Sequence, residues 1–152
     1  MFGKNGIKSI TTKKADVSRM DSFRSHIGKK IITKSGDSFG RVFDISFSGN
    51  TVAGIIAARN LSKVFIGKEF VAGMTADSVM LSIDPVIMMI GKQVFDADGN
   101  KIGKVAKLVR KGSSNSYSAI IVKRKIYSKG IRVPRSDIET SKKNIILSKV
   151  YK

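Results

Sequence analysis

The sequence contains no cysteine and no tryptophan, only two prolines, and a single histidine. Without cysteine there are no disulfides, thiolate metal sites or cysteine nucleophile, and a cytoplasmic location is favoured. No apolar run approaches the roughly 20 residues of a membrane span, and residues 1–25 lack the apolar core of a signal peptide. We therefore expect a cytoplasmic protein without disulfides.

The residues that usually support acid–base and metal chemistry are also sparse. His26 has no cluster of carboxylates near it in sequence, and the 11 acidic residues are scattered rather than paired. The segment Asp96-Ala97-Asp98-Gly99-Asn100 resembles the start of a calcium loop, but Lys107 stands where that loop requires Glu. A turn closed by its own Asp side chain is the favoured interpretation. We expect no metal, no cofactor, no small-molecule substrate and no enzymatic activity.

What the chain does contain is an internal repeat. Ile27-Gly28-Lys29 recurs 63 residues later as Ile90-Gly91-Lys92. The same spacing relates Gly36 to Gly99, Gly40 to Gly103, Val42 to Val105, and Gly49 to Gly112. Glycine is favoured where the backbone needs a positive φ or a close approach, so glycines in register indicate turns in register.

The second copy is expected to be slightly longer than the first. Ala53 matches Ala119 and Ile55 matches Ile121, a spacing of 66 residues. This change of spacing predicts about three extra residues in the loop that follows Arg110, where an insertion has little effect on stability.

The pattern of apolar residues predicts strands and very little helix. The first strand of each copy is expected to open with Ile27 or Ile90, and residues 72–77 are expected to form a loop or a single helical turn. Each copy shows about five short apolar segments separated by glycine-containing turns, which is typical of small β-barrels. Val105 and Leu108 are three residues apart and would face opposite sides of a regular strand, so we expect a β-bulge there, as between Val42 and Ile45. The sequence predicts an all-β protein with two tandem small bent β-barrels, residues 26–85 and 86–152, behind a basic flexible tail, residues 1–25.

These residues resemble the PRC-barrel domain family. The second copy carries the family's motifs in order: Ile90-Gly91-Lys92, Gly99, Gly103-Lys104-Val105, Val133-Pro134, Asp137-Ile138 and Ile145-Ile146-Leu147. The family includes the reaction-centre H-subunit cytoplasmic domain, the C-terminal domain of a ribosome maturation factor, and compact archaeal proteins. The resemblance implies a highly bent barrel and a role in docking onto another macromolecule. The acidic position of the family motif is kept as Asp44 in the first copy but is Lys107 in the second.

The net charge of +18 is unevenly distributed. Residues 26–85 hold seven Lys/Arg and five Asp/Glu, whereas residues 86–152 hold sixteen and four. A general solubility effect would raise the charge of both copies alike, so the difference indicates a polyanionic partner for the second copy and the tail. The partner is RNA, DNA or an acidic membrane surface.

The candidate phosphate-binding residues are the cations of the second copy and of the tail. They are Lys101, Lys104, Lys107, Arg110, Lys111, Lys123, Arg124, Lys125, Lys129, Arg132 and Arg135, together with Lys4, Lys8, Lys13 and Lys14. If the strands on either side of the loop after Arg110 pair as a hairpin, Lys101 and Lys104 approach Lys123–Lys125. Lysine outnumbers arginine in this set, which favours backbone attraction over base-specific readout.

Two tyrosines flank the second basic strand, Tyr117 and Tyr127. Exposed tyrosines stack on nucleobases, whereas buried ones complete the core of a barrel, and the sequence leaves both open. The first functional hypothesis is a non-enzymatic adaptor that docks on a ribonucleoprotein such as the ribosome, with a protein partner for the first copy. The alternative is a scaffold at the cytoplasmic face of a membrane-complex or cell-division assembly, attracted to acidic lipid.

Overall fold

A computed structural model describes residues 10–12 and 20–151 of the chain. The contacts divide after Ser82 into two compact parts, here called the first and second units. The sequence analysis placed this junction later, after Pro85. Residues 84–86 join the second unit because the Asn115 side chain holds them: its Nδ2 donates to the Asp84 carbonyl oxygen (3.1 Å), and its Oδ1 accepts from the Val86 N–H (2.8 Å).

The first unit is a six-stranded sheet preceded by a short helix, α1 (Phe23–His26). Its elements are β1 (Lys30–Ile32), β2 (Ser38–Ser48), β3 (Thr51–Arg59), β4 (Ser62–Gly67), a 3₁₀ turn (Lys68–Phe70), β5 (Val71–Met74) and β6 (Ser78–Leu81). Hydrogen bonds join the strands in the order β4-β3-β2-β1-β6-β5. Neighbours are antiparallel except β1 and β6, which run parallel.

The second unit repeats this plan. A 3₁₀ turn (Val86–Met89) leads into β7 (Gln93–Phe95), β8 (Lys101–Val109), β9 (Ala119–Lys123), β10 (Ile131–Pro134), a 3₁₀ turn (Arg135–Asp137), β11 (Ile138–Ser141) and β12 (Ile145–Leu147). The order β10-β9-β8-β7-β12-β11 is the same as in the first unit, and β7 and β12 are again the parallel pair. The prediction of an all-β chain with two tandem β-units is confirmed, with six strands in each unit rather than about five.

The expected β-bulges are present and fall at matched positions. In the second unit the β8–β9 register shifts between Val105 and Lys107. In the first unit the β2–β3 register shifts between Val42 and Asp44. Because one extra residue is accommodated at the bulge, Val105 and Leu108 both face the core although they are three residues apart.

Each core is built from the inward rows of the sheet. In the second unit it contains Met89, Val94, Ile102, Val105, Leu108, Ile120, Val122, Val133, Ile145 and Leu147. In the first unit the buried apolar residues include Ile31, Phe39, Val42, Ile55, Ala57, Ile66, Val79 and Leu81. Valine and isoleucine dominate, and their branched side chains pack well on a pleated surface.

Strand pairing corrects the predicted alignment of the two copies. Ile45 of the first unit corresponds to Leu108 of the second. Ile45 pairs with Ile55 and Leu108 pairs with Ile120, so Ile55 corresponds to Ile120 rather than to Ile121. The spacing is therefore 65 at this strand, and it grows to 67 at the next strand, where Ile66 corresponds to Val133. Two extra residues lie in the loop after Arg110, and two more lie in the β9–β10 connection, which the sequence analysis did not identify.

Several expected strand boundaries were wrong for local reasons. The strands predicted to open with Ile27 and Ile90 begin three residues later, because Gly28 (φ 83°) and Gly91 (φ 88°) turn the backbone away from an extended path. The segment after Val71, predicted as a loop, continues β5 as far as Met74. Strand β11 was missed because, after Ile138, its residues are exposed and polar or charged.

Close approach of two strands accounts for the matched glycines Gly40 and Gly103. Their φ angles are 157° and 150°, and a Cβ atom on Gly103 would press against the backbone of Lys123, with the carbonyl carbon only 2.7 Å away. Gly40 meets the backbone of Ala58 in the same way. The hairpin that pairs β8 with β9 therefore requires glycine at this position.

We predict that Gly103→Ala destabilises the protein by about 1–3 kcal/mol, the range typical of overpacking. The measurement is the urea midpoint and slope at neutral pH. Gly73→Ala is the matched control. Gly73 lies in β5, and a Cβ atom added there would have no heavy atom within 4 Å, so this substitution should leave the stability unchanged or raise it slightly. Equal stability of the two variants would contradict the close-approach explanation.

Candidate functional site

The outward side of strands β8, β9 and β10 gathers four of the predicted cations. The register places Lys104 directly opposite Lys123, and it places Lys107 and Arg132 on either side of Ile121. The inward rows between them, Val105–Val122 and Leu108–Ile120–Val133, are buried. Side chains alternate across a strand, so the cations are held on the opposite side from the core. We call Lys104, Lys107, Lys123 and Arg132 the basic face.

The remaining cations of the second unit lie around this face in different settings. Lys101 is exposed at the start of β8, and Arg124, Lys125 and Lys129 lie in the β9–β10 connection. Arg110 is turned into its own loop, where Nη2 donates to the Ser114 carbonyl oxygen (2.8 Å), and Lys111 follows it there. Arg135 lies in a 3₁₀ turn with its guanidinium carbon 5.3 Å from the centre of the Tyr117 ring. Lys4, Lys8, Lys13 and Lys14 fall outside the described residues.

The charges of the basic face are not neutralised by neighbouring acids. Within residues 20–151, no carboxylate lies within 4.0 Å of these four cations, and the ion pair found there joins Lys149 to Asp137. Two acids of the second unit, Asp96 and Asp137, are buried and bonded elsewhere. Directly opposed like charges such as Lys104 and Lys123 reduce the stability of a sheet. The opposed lysines are therefore not explained by a contribution to folding stability.

The first unit offers an internal comparison, because the same four positions are occupied by different residues. Strand pairing matches Lys104 with Arg41, Lys107 with Asp44, Lys123 with Ala58, and Arg132 with Phe65. The one shared cation, Arg41, donates from Nη1 to the Gly28 carbonyl oxygen at 2.9 Å. The scaffold thus does not require cations at these positions.

The outward side of the first unit exposes two phenylalanines, and one of them, Phe65, occupies the position of Arg132. Phe43 and Phe65 are 48% and 56% exposed, and Lys63 Nζ lies 3.9 Å from the centre of the Phe43 ring. The Phe65 ring packs against Gly54, and a Cβ atom added to Gly54 would lie 2.9 Å from Cζ of Phe65. The two units therefore present chemically different surfaces on one architecture.

We predict that Lys104→Glu raises the stability of the isolated protein at low salt by about 0.2–1 kcal/mol, because a repulsive cross-strand pair becomes an attractive one. The gain should diminish at 1 M salt, where charge interactions are screened within roughly 3 Å. Lys143→Glu, an exposed position away from the paired strands, is the control for net charge. A destabilised Lys104→Glu variant at low salt would show that the opposed lysines do not repel.

The sequence analysis missed a polar cluster around Asp137. The Tyr151 hydroxyl donates to Asp137 Oδ2 at 2.5 Å, and Lys149 Nζ lies 2.9 Å from Oδ1. The Tyr151 hydroxyl and then the Lys149 ammonium hold the pKa of the Asp137 carboxyl below its ordinary value, against the effect of burial. Burial, and then the bond to Asp137, raise the pKa of Tyr151 to about 12. The cluster fixes the segment after β12 to the 3₁₀ turn after β10.

Asp137 should make stability depend on pH. Its folded-state pKa is lowered, so its contribution is fully present above the unfolded value of about 3.9 and is lost as the pH falls through the folded-state value. We predict that Asp137→Asn is less stable than the parent near neutral pH and that the difference narrows as the pH falls below about 4. Urea midpoints across this range measure it, with exposed Asp98→Asn as the control. A difference that stays constant with pH would contradict the charge-based explanation.

Asp96 forms the predicted Asx-type turn. Its Oδ1 accepts the N–H groups of Asp98 (3.0 Å) and Asn100 (2.9 Å). Burial acts to raise the pKa of Asp96, but these hydrogen bonds outweigh it and lower the pKa. The carboxylate is thus used to close its own turn, and no group of three potential metal ligands occurs in the described part of the chain.

The lysines of the repeated Ile-Gly-Lys motif have structural partners. Lys29 Nζ donates to the Thr75 carbonyl oxygen (2.7 Å) and lies 3.0 Å from Nδ1 of buried His26. Lys92 Nζ binds the carbonyl oxygens of Ser141 (3.0 Å) and Lys142. In both units this lysine ties the start of the sheet to the turn between its last two strands.

No protein-family model matches the chain, and no curated protein is significantly similar to it. The resemblance to PRC-barrel domains therefore stays a prediction. Among the described residues, none forms a helix with the length and apolar character needed to cross a bilayer.

Proposed function

We propose that the chain is a cytoplasmic, non-enzymatic docking module that binds the phosphate backbone of RNA within a ribonucleoprotein such as the ribosome. The observation that carries this proposal is the basic face, four cations on three paired strands without a neighbouring carboxylate. The matched positions of the first unit supply the contrast, since they hold only one cation there, Arg41. A general need for solubility would raise the charge of both units alike.

The mechanism is neutralisation of phosphates with release of their counterions. Ammonium groups within about 10 Å of one another reinforce the local potential at moderate salt. Lysine supplies three of the four cations, so the face is suited to phosphates rather than to base edges, which are read by the planar fork of arginine. The paired strands fix the backbone positions of these charges before binding, so this segment does not have to fold on association.

Other parts of the chain support the same role. The tail lysines Lys4, Lys8, Lys13 and Lys14 would add phosphate contacts outside the described residues. The first unit, with its exposed Phe43 and Phe65, would serve the protein side of the assembly. The PRC-barrel resemblance points the same way, because its members dock onto macromolecules.

We predict that the combined change of Lys104, Lys107 and Arg132 to Glu weakens RNA retention strongly and lowers the salt dependence of binding. Each phosphate contact on single-stranded RNA contributes about 0.7 to the slope of log affinity against log salt, so the slope should fall by roughly 2. Filter binding to a labelled RNA over about 50–200 mM salt measures both quantities.

The matched control reverses three exposed lysines elsewhere, Lys34, Lys68 and Lys143, and gives the protein the same net charge. Unchanged binding in the basic-face variant, or an equal loss in the control, would contradict the proposed site. Co-sedimentation with ribosomes before and after RNase treatment tests the partner. A membrane pellet insensitive to RNase would favour the alternative, a scaffold at an acidic membrane face.

A further inference from the structure

The β9–β10 connection contains a tight turn that exposes two large apolar side chains. The Ser128 N–H donates to the Lys125 carbonyl oxygen (3.0 Å), and the Ser128 hydroxyl both donates to that oxygen (2.8 Å) and accepts from the Lys125 N–H (3.1 Å). Ile126 and Tyr127 are the two central residues of this turn. They are 94% and 84% exposed.

The composition of this turn departs from ordinary turn chemistry. Central turn positions favour Gly, Asn, Asp, Pro or Ser, which adopt the geometry and remain hydrated. The matching connection of the first unit has only two residues between paired Arg59 and Ser62, one of them Asn60 with a φ of 53°. The second unit has four residues between the matching positions, Arg124 and Lys129. The two-residue insertion thus coincides with the turn that presents Ile126 and Tyr127.

Cations accompany this turn on both sides and connect it to the basic face. Lys123 belongs to that face, Arg124 and Lys125 follow it directly, and Lys129 lies on the return segment. Strand β9 ends at Lys123, and Arg124 and Lys125 lie between this strand and Ile126. Positive charge therefore continues from the basic face into the connection that carries Tyr127.

We propose that Tyr127 is a stacking platform for an unpaired base, and that the preferred partner of the second unit is single-stranded RNA. The phosphates of the strand would follow the cations along β9, while the exposed ring receives a base. Aromatic platforms beside a positive track are the general solution for binding single strands without sequence preference. This inference rests on the proposed function and adds to it the class of RNA.

The same residues fit a duplex or a lipid surface less well. Bases inside a duplex are already stacked and offer no face to a protruding ring. A membrane would accept Ile126, but one aliphatic side chain at a tight turn buries little apolar area, and the strength of interfacial binding scales with that area. Lys125 Nζ also lies over the Tyr127 ring, 5.8 Å from its centre, so the exposed ring and a cation are presented together.

The test compares affinities of the full chain for a uridine oligonucleotide and for an RNA duplex of equal length. Tyr127→Ala should weaken binding of the single strand by about tenfold or more and leave duplex binding unchanged. Tyr127→Phe should retain single-strand binding, because the aromatic ring is kept. Leu61→Ala, at the exposed tip of the matching connection in the first unit, is the control and should change neither affinity.

The outcomes separate this inference from the proposed function. If Tyr127→Ala binds both RNAs as the parent does, the stacking role is overturned, while a loss in the basic-face variant would still support phosphate docking. If neither RNA binds, but vesicles of phosphatidylcholine and phosphatidylserine retain the parent and not Ile126→Ala, both proposals are overturned in favour of a membrane. Tyr127 is exposed, so unfolding of its variants is not expected, and thermal melting checks this.

Discussion

The close approach of two backbones at Gly103, followed by the β-bulge before Lys107, sets the geometry of the second unit. Gly103 lets β8 lie against the backbone of Lys123, and the bulge then returns Leu108 to the core side. Together they leave Lys104 and Lys107 on the outward side, although the intervals between apolar residues are irregular. Without either feature, the cations and the core residues could not be sorted onto opposite sides of one strand.

The two units show how one architecture supports two surfaces. Their strand order, bulges and positive-φ glycines coincide, because these features determine whether the sheet forms. Their outward residues differ almost completely, because outward positions contribute little to the core. The outward residues can therefore be apolar or basic without loss of the fold. An opposed pair of like charges such as Lys104 and Lys123 lowers the stability only modestly.

The sequence predicted the features that leave a periodic or repeated signal. The matched glycines, the bulge between Val105 and Leu108, and the approach of Lys104 to Lys123 all followed from spacing. Strand β11 was missed because pairing with β12, rather than its own pattern, makes it extended. The contacts of Asp137 with Lys149 and Tyr151 are also tertiary. A turn at Tyr127–Gly130 was expected, but its two-residue insertion was not recognised, because an alignment error of one residue placed the whole insertion in the earlier loop.

The parallel pairing of β1 with β6, and of β7 with β12, has a consequence for the history of the chain. It places the first and last strands of each unit side by side, so the polypeptide leaves a unit next to the strand by which it entered. Because the two strands run parallel, the chain enters at one end of the pair and leaves at the other, and such a unit can be copied in tandem through a short connection. Gene duplication followed by divergence of one copy is accordingly an accessible evolutionary route for this topology.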